Sequence, residues 1–322
     1  MLQPNTRRPP ADAPRPSADG ARGYGVAAMT VRHLALAAAL ALLGAACTGD
    51  GGDSVPTAAP GTSAPASPTT TGPGATEAAP GVPVELITIF DGDTLLVDMR
   101  GVEEEVRLLG INTPEREECF SSEAREATSS LVAAGSLTIE ATEERDQFER
   151  LLGYAYAGGA LVNQALVEGG YALALQTDHP RLAEFLAAEE AALAAGEGLW
   201  AADACGAPSP AALSLEGLEP DPPGPDEDDL NGEWVLLANE GAEPADLTGW
   251  VLRDESSQNR YRFPEGFVLD AGETVAVHTG GGADGPAHLY WDAPGPVWNN
   301  GGDAALLLDS AGNVADRLRY SG

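Results

Sequence analysis

Apolar and polar positions alternate in two distinct styles along this chain. Over residues 84–205, short apolar runs fall at 84–89, 94–97, 106–109, 137–139 and 152–156, each bounded by turn residues, and these predict strands. Between them, 121–134 and 179–195 carry apolar residues at helical spacing. Pro180 suits a first helical turn, and Gly196 and Gly198 suit an exit. Strands with interspersed helices predict a small α+β domain built on a barrel. Residues 231–322 differ: short strands separated by Gly, Asn, Asp and Pro carry four of the chain's five tryptophans. That pattern predicts an antiparallel sandwich in which the tryptophans are core.

The remaining stretches lack such periodicity. Residues 1–28 are rich in proline and arginine and are read as an extension ahead of a start at Met29. Residues 29–46 have the layout of a signal peptide: Arg32 and His33, an unbroken apolar run, then Gly44-Ala45-Ala46 before Cys47. The run is too short to span a bilayer. A small-residue site ending in cysteine resembles a bacterial lipoprotein signal, which implies lipidation of Cys47 and a membrane anchor. The other reading is an ordinary secretory signal cut after Ala46. Residues 47–83, rich in Pro, Thr, Ser, Ala and Gly, read as a tether. Residues 206–230, rich in proline and holding Asp226-Glu227-Asp228-Asp229, read as a second linker.

Composition narrows the chemistry. Against 50 acidic side chains stand 17 basic ones, all arginine, for a net charge of −33. A nucleic-acid binder with a basic face is excluded, although an enzyme with its few cations gathered in one site is not. The 84–205 segment holds 24 acidic and 7 basic residues, and 206–322 holds 21 and 5. Three cysteines are too few for a four-cysteine zinc site. The four histidines show no metal-ligand spacing.

Candidate chemistry lies in three clusters. Asp91-Gly92-Asp93-Thr94 places two carboxylates at a turn into a strand. In 106–115, Arg107 sits on a strand, and Asn112-Thr113-Pro114-Glu115 follows, with the proline stiffening the approach to the glutamate. The third cluster is Asp146 to Tyr156, containing Arg150. Cleaving a phosphodiester needs cations for the phosphate, a base for water and often a metal. Two arginines, a glutamate and hard oxygen ligands for calcium or magnesium supply such a set. Taken singly, each residue reads more plainly: the arginines as surface ion-pair partners, the aspartates as turn formers, Glu115 as an exposed acid.

Together the clusters resemble the staphylococcal nuclease (thermonuclease) family. D-G-D-T, R-L-L-x-x-N-T-P-E, D-x-x-x-R-x-L-x-Y and the helix pattern V-N-x-x-L-V-x-x-G occur in family order across 84–205. The resemblance implies an OB-fold barrel with three helices and a calcium-dependent nuclease acting on DNA and RNA, single-stranded DNA included. By position, Arg107 and Arg150 match the phosphate-holding arginines and Glu115 the general base. Asp93 matches a calcium-ligating carboxylate, and Thr113 a backbone-carbonyl ligand. Asn112 stands where the family has a second ligating aspartate, so a raised calcium requirement is expected. Glu149 and Phe148 also depart from the family, which has glycine and commonly tyrosine there.

Cys119 and Cys205 form an isolated pair in a domain read as exported, which favours a disulfide over two buried thiols. In the last segment, Asp246-Leu247-Thr248-Gly249-Trp250 and Trp298-Asn299-Asn300-Gly301-Gly302-Asp303 resemble the lamin-tail family, an immunoglobulin-like sandwich. This implies an accessory binding module of unknown ligand. The whole reads as an exported, monomeric nuclease, secreted or lipid-anchored in the cell envelope. Two rivals come from other classes: an inactive barrel serving as a binding module, and a surface adhesin in which the tail domain is primary.

Overall fold

The structure is a computed structural model that describes residues 79–256 and 258–322. The expected extension, signal segment, Cys47 and the tether up to residue 78 lie outside the described residues.

The first half opens with β1 (Val82–Pro83), β2 (Glu85–Ile89), β3 (Thr94–Asp98), β4 (Glu103–Leu108) and β5 (Ile111–Asn112). Helix α1 (Ser121–Val132) precedes β6 (Leu137–Arg145), β7 (Leu151–Ala157) and β8 (Ala160–Leu161). Helix α2 (Val162–Glu168), β9 (Leu173–Ala174) and α3 (Leu182–Ala195) complete it. The main sheet runs β1-β6-β7-β4-β3-β2, with β8 beside β7. Only β4 and β7 pair in parallel, so their connection must cross over, and α1 and β6 fill it. The sheet's two ends, β1 and β2, are not paired to each other, so a closed barrel is not shown.

Strand alternation explains how this sheet carries a core on one side and chemistry on the other. Leu95 and Val97 on β3 and Val106 and Leu108 on β4 are fully buried on one face. Thr94 and Arg107, paired directly across the ladder, point to the opposite face. Burying each large apolar side chain contributes about 1.5–3 kcal/mol. Helix α3 starts three residues later than the spacing predicts: the residue before a proline is biased away from helical torsions, and Pro180 lies in a turn ahead of the N-cap Arg181, not in the first helical turn. It ends on Gly196 in the left-handed conformation (φ 66°), where a side chain would be strained. Strand β6 outruns the apolar pattern because its second half is mostly solvent-exposed and polar.

The second half contains β10 (Leu213–Glu219), β11 (Trp234–Asn239), β12 (Ala245–Asp246), β13 (Val251–Arg253) and β14 (Arg260–Arg262). It continues with β15 (Val268–Leu269), β16 (Thr274–His278), β17 (His288–Tyr290), β18 (Gly302–Leu308) and β19 (Val314–Ser321). Two four-stranded sheets, β10-β11-β16-β17 and β14-β13-β18-β19, enclose Trp250, Leu237, Leu252, Val275 and Leu307. Trp298 is buried with them, whereas Trp234 and Trp291 are half-buried. One pair departs from the antiparallel expectation: β16 and β17 run parallel.

Two features correct the picture of a free-standing tail. Residues 213–219, expected within a linker, are β10, which pairs along its length with β11. Its alternating Leu213 and Leu215 are buried in the sandwich, and the surrounding prolines concealed that pattern. The tail also packs on the first half. Leu173, Ala192 and Trp200 share an apolar cluster with Ala304 and Leu306. Beside it the buried Glu189 of α3 accepts from the Ala174 amide at 2.9 Å and pairs with Arg317 at 2.6 Å and with Arg319. Burial pushes the Glu189 carboxyl up, and the two arginines pull against it.

Candidate active site

The D-G-D-T turn and the β3–β4 ladder bring Asp93, Thr94 and Arg107 together. Arg107 Nε lies 3.2 Å from Asp93 Oδ1. Its Nη1 donates to the carbonyls of Leu108 and Ile111, both at 2.8 Å, and its Nη2 to Asn112 Oδ1 at 3.2 Å. Three of its five N–H groups are hydrogen-bonded, and a fourth, at Nε, faces the Asp93 carboxylate. Arg150 precedes β7, the parallel neighbour of β4, and its Nη1 donates to Thr94 Oγ1 at 3.2 Å. Its Nε donates to Asp146 at 2.7 Å, and its guanidinium lies 5.3 Å from the Phe148 ring centre. Burial would raise the Asp146 carboxyl, but the hydrogen bonds from Arg150 hold it below the ordinary carboxylate range.

One hydrogen-bonded network thus links Arg150, Thr94, Asp93, Arg107, Asn112 and Thr113. Asp93 is its buried centre. Burial raises its carboxyl, Arg107 opposes that shift, and Asp91 adds to it.

These residues also allow a test of calcium. A carboxylate offers about four lone-pair sites. Asp93 Oδ1 faces Thr94 Oγ1 and Arg107 Nε, both at 3.2 Å. Oδ2 accepts from the Thr113 amide at 2.7 Å and its hydroxyl at 3.0 Å. Asn112 Oδ1 is taken by Arg107. Among the described residues no group of three or more His, Cys, Asp or Glu is arranged to hold a metal. As packed, the Asp93 oxygens are engaged by Thr94, Thr113 and Arg107, so calcium bound directly to this carboxylate has to displace one of these contacts.

Glu115 stands apart from this network. Its side chain is exposed and lines a cleft of about 550 Å³, while its backbone amide donates to Glu118 Oε2 at 2.8 Å. The far wall of the cleft belongs to the tail domain and includes Arg253, Arg260 and Arg262. Arg253 lies 3.6 Å from Glu118, and Arg260 pairs with the same carboxylate. Asn112 is shared between the two regions, because its Nδ2 donates to the Glu255 carbonyl at 3.0 Å. Cys119 and Cys205 are joined in a disulfide that ties this loop to the end of the first domain.

Sequence reasoning missed Glu118, Arg253, Arg260 and Glu255. Their only signal was scarcity: the tail has five arginines, and four of them pair with carboxylates of the first domain.

A mixed sheet presenting paired arginines and a carboxylate thus stands beside a β-sandwich in a two-domain chain. Residues 105–202 match the model described as Staphylococcal nuclease homologue, and residues 207–322 match the Lamin Tail Domain. Thermonuclease of Staphylococcus hyicus is 29% identical over 97 residues, covering 28% of this chain and 57% of that protein. Endonuclease YncB of Bacillus subtilis is 34% identical over 99 residues, covering 28% and 47%. Protein ParB of Escherichia coli is 33% identical over 129 residues, covering 36% and 71%. Through its first domain the chain belongs to the staphylococcal nuclease homologue family. It spans between about half and two thirds of the thermonuclease and endonuclease relatives.

Proposed function

We propose that the protein is an exported nuclease that hydrolyses phosphodiester bonds of DNA and RNA. The observation that carries this is the network joining Arg107 and Arg150 through Thr94 and Asp93, with Glu115 three residues beyond Asn112. Arg150, with only two of its N–H groups engaged among the described residues, takes the larger share of the phosphate charge. Arg107 contributes its one uncommitted N–H and holds the site's shape. Glu115, exposed at the cleft, accepts the proton of the attacking water as its oxygen bonds to phosphorus and the leaving oxygen departs.

The parallel β4–β7 pair, and a segment 82–89 that pairs with β6 at its start and β3 at its end, support an OB-type barrel. The disulfide supports an oxidising, extracytoplasmic location, in keeping with a signal peptide and lipid anchor at Cys47. We place the tail domain's start at about residue 207, with β10 as its first strand. Monomeric assembly and a separate ligand for the tail remain part of this proposal.

The calcium dependence implied by the family requires the contacts of Asp93 to open. Calcium therefore competes with Arg107, and the requirement is high. One observation favours a second reading, a non-catalytic binding module: the Asp93 carboxylate already accepts three hydrogen bonds and faces Arg107. Digestion of single-stranded DNA across a calcium titration, with a chelator control, separates the two. Calcium-dependent cleavage whose midpoint falls several-fold in Asn112→Asp supports the nuclease. Folded protein without cleavage at any calcium concentration leaves the binding module.

A further inference from the structure

The loop 112–119 carries three candidate site residues, yet most of what holds it comes from elsewhere in the chain. Glu118 accepts the Glu115 amide at 2.8 Å and faces Arg253 and Arg260 of the tail. At the loop's start, Asn112 donates to the Glu255 carbonyl of the tail at 3.0 Å. At its end, Cys119 is bonded to Cys205. Arg253 and Arg260 lie directly opposite each other on β13 and β14, an arrangement that costs stability unless an anion sits between them. Glu118 is that anion, and its side chain is only 19% exposed. Arg253 is anchored from within the tail, by its Nε to the Asp254 carbonyl at 3.0 Å and its Nη2 to the Ser256 carbonyl at 2.5 Å, which leaves Nη1 aimed at Glu118 of the first domain.

We infer that the tail domain is part of the catalytic apparatus: Arg253 and Arg260, acting through Glu118, are positioning residues for the loop that presents Glu115. The inference rests on reading the first domain as a nuclease. In this role neither arginine takes a proton. Their contribution is to fix the Glu118 carboxylate, which in turn fixes the backbone at Glu115. A base displaced by about an ångström loses much of its effect, because proton transfer needs hydrogen-bond distance to the water.

The test uses the full chain with Arg260→Met, which keeps the aliphatic stem, Arg260→Lys, and Glu118→Gln as a second route to the same lost ion pairs. Hydrogen exchange at the Glu115 amide reads the loop directly. Cleavage of a single-stranded oligonucleotide reads catalysis. Arg260→Met is expected to speed exchange at Glu115 about tenfold and to lower kcat about tenfold to a hundredfold, with KM within about twofold. Arg260→Lys is expected to recover part of both, and Glu118→Gln to lower kcat in the same way. Unchanged exchange at Glu115 in both Arg260→Met and Glu118→Gln would overturn the inference, whether or not the protein cleaves DNA. Faster exchange with unchanged kcat would overturn it as well. If the wild-type chain cleaves nothing, the nuclease reading fails by that result, and the exchange data alone decide whether the tail holds the loop.

Discussion

Two buried carboxylates, Asp93 and Glu189, are each held by arginine, and they are built in opposite ways. Asp93 lies 14 residues from Arg107, and the β3–β4 ladder that joins them is local. Glu189 meets Arg317 and Arg319 across sequence separations of 128 and 130 residues. The first arrangement is a motif and organises candidate chemistry. The second is a weld between domains, where the pair matters because neither partner can return to water. Charge pairing alone therefore does not mark a functional site in this molecule; what distinguishes the Asp93 network is that it adjoins a loop open to a cleft.

The largest test of that contrast is Glu115→Gln. It should lower kcat about 10²–10⁴-fold while leaving stability within about 0.5 kcal/mol, measured by DNA cleavage beside urea unfolding. Glu189→Ala should do the reverse, costing about 3 kcal/mol by leaving Arg317 and Arg319 only the exposed Glu190 as a partner and the Ala174 amide without its acceptor, and a variant as stable as the parent would break the comparison. Smaller again is the disulfide. Cys119→Ser with Cys205→Ser should cost roughly 2–4 kcal/mol in the same unfolding experiment, since it frees a long loop in the unfolded chain.

A further effect, read against pH, lies at the same domain boundary. Burial, reinforced by Asp303, pushes the Glu255 carboxyl up to about 8. Burial, reinforced by Asp254, pushes Asp303 up to about 6. Each folded-state value lies above the unfolded one, so the native protein holds the extra protons. Their stabilisation is complete below the ordinary carboxylate range and is lost as pH rises, through about 6 for Asp303 and about 8 for Glu255. The melting temperature should fall across that window. Glu255→Gln should flatten the upper part and leave the lower part, as followed by thermal melts at a series of pH values.

Much of the first domain was legible because its signals are local. The apolar runs at 94–97 and 106–109 marked β3 and β4 as strands, although with Leu96 and Leu109 in those runs only the structure separated the core face from the site face. The pairing of Cys119 with Cys205 followed from having one isolated pair in a domain read as exported. The polar half of β6 was not legible, since exposed strand residues carry no apolar period. Strand β10 was hidden by neighbouring prolines and glycines, although Leu213 and Leu215 alternate within it.

By itself the sequence determined most of the first domain's strands and helices and the apolar positions of the two cores, because torsional preference, strand alternation and turn chemistry act over a few residues, while the grouping of residues around Asp93 came from the order of the family motifs. Only the tertiary structure decided that Thr94, Thr113 and Arg107 all converge on the Asp93 carboxylate, that Glu118 accepts the Glu115 amide, and that the tail's arginines face the first domain. Those facts depend on which surfaces meet. Two residues 135 or more positions apart, such as Glu118 and Arg253, become neighbours only when both domains have folded and docked.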